Sequence, residues 1–431
     1  MNYKHTTLKN GLNIFLLPLK DAESVSYTIY TKVGSRYENP KHAGIAHFLE
    51  HLFFKGSKQY PSAEALSAAV DAIGGEWNAS TGKEVTEFYI KSAKSSFNFT
   101  FNLLTDMLQN PLFDEGEIER EKGVIIEEMR MYRDNLPNVS QENLEKAMWP
   151  GTKMGDTIIG TEESIKGITR KEIVEFWNTW YTPQNMIVGV SGNFDLPKTM
   201  AKIKQTWGSK PATPLPKLPK TGIFAKKELQ KRTGPQFSFE KRATEQVNMA
   251  MGFATEGFQD KRSSALRVLA SVLGGGMSSR LFLNVRERKG LAYTVYATND
   301  NYVGAGMFMV YAGVRADSAE KAIDAIRLEL QSVATTKLSD AELRKSKEFI
   351  KGHTALRLED PQSKLDFLVG RFIAYGSVKL PKQVLKEIEE VSAKQIMTAA
   401  QSIFKLSNAA LSIVAPKQND AAYKKAFTSK K

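Results

Sequence analysis

Residues 42–56, HAGIAHFLEHLFFKG, hold three of the chain's five histidines. His47 and His51 stand four apart, so on a helix they share one face about a turn from each other. Glu50 lies three residues after His47 and beside His51, which brings its carboxylate to the same region. The residues around them, Ile45, Ala46, Phe48, Leu49, Leu52, Phe53 and Phe54, are apolar almost all round, the mark of a buried helix. Two imidazoles and a carboxylate are costly in such a wall unless paired or ligated. Two neutral imidazoles at i and i+4 grip a zinc ion, and a carboxylate beside them can take a proton from water held there. The pattern H-x-x-E-H is H-E-x-x-H reversed, the inverzincin signature. A catalytic zinc site also needs a third protein ligand. The chain has no cysteine, so that ligand should be a distant Asp or Glu.

The elements that position this helix must come from a long chain. With 431 residues, two domains are expected. Residues 209–236 contain five of the sixteen prolines and read as a semi-extended linker. They divide the chain into an N-terminal domain over 1–208 that bears the zinc motif and a C-terminal domain over 237–431.

The two parts look duplicated. ITRKEIVEFWNTWYTPQNMIVGVSGN (168–193) lies over VSAKQIMTAAQSIFKLSNAALSIVAP (391–416) without a gap, Ile173 meeting Ile396 and Asn185 meeting Asn408. Each stretch reads as a capped amphipathic helix, a short turn and an apolar strand. In both parts a helix closing on glycines is followed by strands. The expected fold is α+β: two duplicated domains, each an antiparallel sheet backed by helices. Near the N-terminus, Lys9-Asn10-Gly11 marks a hairpin.

Composition narrows the function. No apolar run is long enough to cross a bilayer, and no secretory signal is evident at the N-terminus, so no membrane partner is expected. Absence of cysteine suits a reducing cytoplasm. The net charge of +13 is uneven: residues 1–200 carry 21 Lys+Arg against 26 Asp+Glu, and residues 201–431 carry 39 against 21. The lysines are scattered without a nucleic-acid motif, so we read a solvated basic surface and expect no nucleic-acid partner.

HFLEH, then GGEWNASTGKEVTEFY, then EREKGVIIEEMRMYRD resemble the pitrilysin/insulinase family of zinc metallopeptidases. The resemblance implies Glu128, 77 residues after His51, as third ligand to one Zn2+ per chain. It also implies that Glu121, seven residues earlier, orients a histidine ligand. Periodicity agrees: Ile118, Glu121, Ile125, Glu128 and Tyr132 follow the spacing of one buried helical face, whereas Glu127 sits about 100° away. In the stretch EWNAST the resemblance implies that Asn78 and Ala79 pair with the backbone of an extended substrate; Ser80 stands where the family often has an aromatic. GGGMSSRLFLNVRERKGLAYTVYA resembles the family's Arg/Tyr segment, in which Arg286 and Tyr293 would orient the scissile carbonyl and stabilise the oxyanion.

The resemblance is to half-length members such as the catalytic subunit of mitochondrial processing peptidase. It implies a zinc-dependent metalloendopeptidase acting on peptides or unfolded polypeptide, with Glu50 as general base and then acid. It further implies dimerisation, as a homodimer or with a paralogue, because longer members join four such domains around a chamber. The competing expectation is a non-catalytic assembly subunit of the same fold.

Overall fold

Strand and helix follow the two periodicities just read, and each builds one layer of a unit. The computed structural model describes residues 1–216, 233–417 and 419–429; most of the proline-rich stretch expected as a linker therefore lies outside the described residues. These residues form two compact units, the first from 1–130, 156–216 and 357–378, the second from 131–155, 233–356 and 379–429.

The first unit has a six-stranded sheet of β1 (Lys4–Thr7), β2 (Asn13–Pro18), β3 (Ser24–Thr31), β4 (Glu76–Thr81), β5 (Thr86–Ala93) and β6 (Met186–Gly192). Its spatial order is β1-β2-β6-β3-β5-β4, with β4 at the edge. All neighbours are antiparallel except β2 and β6. The expected hairpin at Asn10-Gly11 joins β1 to β2. Alternation assigns the two faces. Val25, Tyr27 and Ile29 of β3 join one buried cluster with Phe48, Leu49 and Leu52 of helix Ile45–Phe53 and Ile118 and Ile125 of helix Glu115–Asp134. The opposite face of β3 carries polar side chains. Thr28 Oγ1 donates to Gln362 at 2.8 Å and Tyr30 to Asp366 at 2.5 Å, both on helix Pro361–Tyr375.

The second unit has β7 (Gln236–Lys241), β8 (Gln246–Thr255), β9 (Ala292–Tyr302), β10 (Ala305–Arg315) and β11 (Ala409–Ala415), ordered β7-β11-β8-β10-β9. Its one parallel pair is β7 with β11. Helix Leu136–Met148 covers one face, placing Leu144 and Met148 against Ala250, Met307 and Met309.

The duplicated ends keep the offset of 223 into three dimensions. Helix Arg170–Trp180 and β6 correspond residue for residue to helix Ala393–Ile403 and β11, and both helices open with a capping box, at Thr169 and Ser392. Both expected domains differ from the compact units by one exchanged segment: residues 131–155 belong with the second unit and 357–378 with the first. The reason is that each sheet has a second face to cover, and the covering helix comes from the other half of the sequence.

Candidate metal centre

Helix Ile45–Phe53 begins where Gly44 takes a left-handed conformation, φ +91°. A Cβ there would also lie 2.4 Å from the Ile159 carbonyl oxygen, so only glycine fits. The buried carboxylate of Glu38 accepts hydrogen bonds from the N–H groups of Gly44 (2.8 Å) and Ala46 (2.9 Å). It thereby satisfies donors at the helix start and favours its positive end. Ile45, Ala46, Phe48, Leu49, Leu52 and Phe53 are buried, so the helix is held by its apolar residues while His47 and His51 are left together on one face.

The two Nε2 atoms are 3.3 Å apart. Glu128 Oε2 lies 3.4 Å from His51 Nε2 and 3.7 Å from His47 Nε2. Among the described residues this is the one set of three or more His, Asp or Glu donors close enough to hold a metal ion. The separations fit zinc: tetrahedral donors about 2.1 Å from an ion stand about 3.4 Å from each other. On the facing helix Glu115–Asp134, Ile118, Glu121 and Ile125 are buried and Glu128 is half-buried. Tyr132, expected on the same face, is exposed, because the buried stripe moves to Ile126 and Met129 as the helix leaves the core. Glu127 points outward and pairs with Arg130 at 2.6 Å.

Glu121 takes up the other nitrogen of His51: Nδ1–H donates to Oε1 at 2.8 Å, which turns Nε2 toward Glu128. The second oxygen of Glu121 is held by the Lys55 ammonium at 2.7 Å. Burial would raise the Glu121 carboxyl, yet these two partners hold it below the usual range. Burial also opposes the charged form of His51, but its hydrogen bonds and charge interactions with Glu121 and Glu128 outweigh that and push it up to about 9. His47 is driven the other way, by burial and then by the charge of His51. The two Nε2 atoms and Glu128 Oε2 thus face one another where a single cation would satisfy all three.

Glu50 is half-buried, and burial raises its carboxyl. Its hydrogen-bond donor is the Thr81 hydroxyl, on the last residue of β4. Asn78 and Ala79 lie on the same strand, paired with Tyr89 and Phe88 of β5 on one side only, so the other edge of β4 is open among the described residues.

Arg286 and Tyr293 belong to the second unit. The Arg286 guanidinium lies 5.3 Å from the centre of the Tyr293 ring and 4.6 Å from that of Phe282. Tyr293 is 74% exposed.

The structure thus brings together His47, His51, Glu121 and Glu128, with Glu50 joined to the substrate-strand candidates through Thr81, and separately Arg286 with Tyr293. Sequence reasoning missed Glu38, Lys55 and Thr81. Lys55 had a signal: it continues the i, i+4 ladder His47, His51, Lys55, facing two glutamates seven apart. Thr81 and Glu38 had none, since their contacts depend on tertiary approach.

Residues 15–162 match the family described as insulinase (peptidase family M16), and residues 167–349 match the peptidase M16 inactive domain. The chain is 33% identical to the "uncharacterized zinc protease YmxG" of Bacillus subtilis, covering 96% of this chain and 99% of that one. It is 31% identical to an uncharacterized zinc protease of Streptomyces coelicolor, over 96% and 89% of the two chains. Among solved structures, a protease from Helicobacter pylori superposes with a TM-score of 0.89 at 25% identity, covering 96% of this chain and 100% of that one. The peptidase M16 inactive domain from Pseudomonas fluorescens has the same fold, with a TM-score of 0.86 at 16% identity over 97% and 99% of the chains.

Proposed function

We propose that this chain, which belongs to the insulinase family of peptidases (family M16), is a zinc-dependent endopeptidase hydrolysing peptides or unfolded protein segments. The observation that carries the reading is the convergence of His47, His51 and Glu128, donors 3.3 to 3.7 Å apart, from two helices about 80 residues apart in sequence. One zinc ion held by these three side chains would supply Lewis acidity toward a carbonyl oxygen and toward water.

The remaining steps belong to the chain's own residues. Glu50 takes a proton from the attacking water as its oxygen bonds to the carbonyl carbon. It then gives that proton to the amine nitrogen as the C–N bond breaks. Burial, which raises the Glu50 carboxyl, brings it nearer the range in which a group can both accept and return a proton. Glu121 keeps His51 turned with Nε2 toward the ion. Asn78 and Ala79 on the open edge of β4 bind extended substrate through the backbone, which favours peptides over folded proteins. Arg286 and Tyr293 are proposed to orient the scissile carbonyl and take up its developing charge. The protein would work as a dimer, with itself or a paralogue, in the cytoplasm, the compartment that suits a cysteine-free chain. Among the described residues no helix is long and apolar enough to cross a membrane.

The test is cleavage of a quenched fluorogenic peptide with and without chelator, by wild type and Glu50→Gln. We expect chelator to abolish turnover and Glu50→Gln to lower kcat by about 10²- to 10⁴-fold with zinc retained. Activity that survives both treatments overturns the reading. A zinc-bound protein that cleaves nothing points instead to a non-catalytic assembly subunit.

A further inference from the structure

We propose that Thr81 is the positioning residue for Glu50, so that the strand offered to substrate also fixes the side chain that moves the proton. The inference rests on the peptidase reading and adds a residue that the reading does not require.

The Thr81 hydroxyl donates to Glu50 Oε2. Glu50 is half-buried beside the ligand His51, and a long, rotamer-rich carboxylate side chain needs a donor to hold it in one orientation there. His51 attracts it, but from the side of the metal ligands. Thr81 is thus the neutral donor that keeps Glu50 in place.

Thr81 is itself anchored. It pairs with Thr86 at the closed end of β4, where Gly82 N–H donates to the Val85 carbonyl at 2.8 Å to make the turn. That turn is clamped by residues 34–36. Ser35 N–H donates to the Gly82 carbonyl at 3.3 Å and Arg36 N–H to the Lys83 carbonyl at 2.9 Å. The fully buried Arg36 side chain also pairs with Glu84. The approach is so close that a Cβ on Gly34 would lie 2.1 Å from the Gly82 oxygen. The end of β4 is therefore rigid, while Asn78 and Ala79 lie three and two residues back along the same strand. A base tethered there keeps its register with any peptide that pairs with β4, and misplacement by about 1 Å lowers turnover on the order of 100-fold.

The experiment compares Thr81→Val, which removes the hydroxyl at nearly constant shape, with Thr81→Ser, which keeps it. With the fluorogenic peptide, Thr81→Val should lower kcat about 10- to 100-fold, with KM and zinc affinity within about twofold of wild type. Thr81→Ser should recover to within about threefold. In a Glu50→Gln background, Thr81→Val should produce no further loss, because the group it positions is gone. An unchanged kcat in Thr81→Val, a loss confined to KM or zinc binding, or an equal loss in both backgrounds overturns the proposal. Should wild type cleave no peptide, the peptidase reading fails by itself. A crystal structure of Thr81→Val then decides the present point: a Glu50 carboxylate in its original place overturns it, and a displaced one supports it.

Discussion

Helix Ile45–Phe53 and helix Ser263–Gly274 occupy the same post in their units. Each follows a strand inside its sheet, β3 or β8, and packs against an edge strand, β4 or β9. The first carries His47, Glu50 and His51 among its apolar residues. The second buries Ala265, Leu266, Val268, Leu269, Ala270, Val272 and Leu273. The helices that face them differ in the same way. Helix Glu115–Asp134 turns Glu121 and Glu128 inward, whereas helix Asp340–Arg357 meets Ser271 through the backbone carbonyl of Ser346 at 3.2 Å. Among the described residues one scaffold therefore serves with or without a metal-ligating set, and function lies in a few side chains grafted on it. The unit that breaks the apolar rule is the one whose polar groups converge on a common point.

The largest effect that could break this comparison is a core deletion on each helix. Leu49 and Leu269 are both fully buried, so Leu49→Ala and Leu269→Ala should each destabilise by about 3 kcal/mol in denaturant unfolding. Zinc affinity should fall only for Leu49→Ala, since that helix presents His47 and His51. Equal zinc affinities in the two variants would mean that the ligand set does not depend on its helix.

A smaller effect comes from pH. His51, raised to about 9 in the metal-free protein, contributes stability that is full below its ordinary value near 6.5 and is lost as pH rises through 9. His47, lowered to about 4, contributes stability that is present above 6.5 and lost as pH falls toward 4. The contribution of this pair to metal-free stability should thus peak near pH 6.5 and decline on both sides. Zinc should remove the decline above pH 6.5 and steepen the one below it, because coordinated nitrogens hold no proton while those of the unfolded chain do. Denaturation midpoints from pH 4 to 9, with and without zinc, check this, and a profile unchanged by zinc would contradict it.

The smallest effect should be the same in both units. Thr169 and Ser392 cap corresponding helices, so Thr169→Ala and Ser392→Ala should each cost about 1 kcal/mol, measured by thermal unfolding. A clear inequality would show that matching local sequence no longer does matching work.

Much of the fold was legible because its signals are local. The Asn10-Gly11 hairpin and the capped helices opening at Thr169 and Ser392 each state their structure within a few residues. The H-x-x-E-H helix was legible for the same reason. Tyr132 was misplaced because an extrapolated period does not know where a helix leaves the core. The exchanged covering helices at 136–148 and 361–375 were also hidden, since an amphipathic helix does not name the sheet it covers.

By itself, the sequence determined which residue types could hold zinc and that His47 and His51 would lie on one face, because four residues of helix span about one turn. The tertiary structure decided the rest. It brought Glu128 and Glu121 to that face, held Glu121 through Lys55, and set the Thr81 hydroxyl against Glu50. Each of these contacts depends on two elements approaching within a hydrogen-bond length, which core packing and backbone clamps settle and local spacing does not.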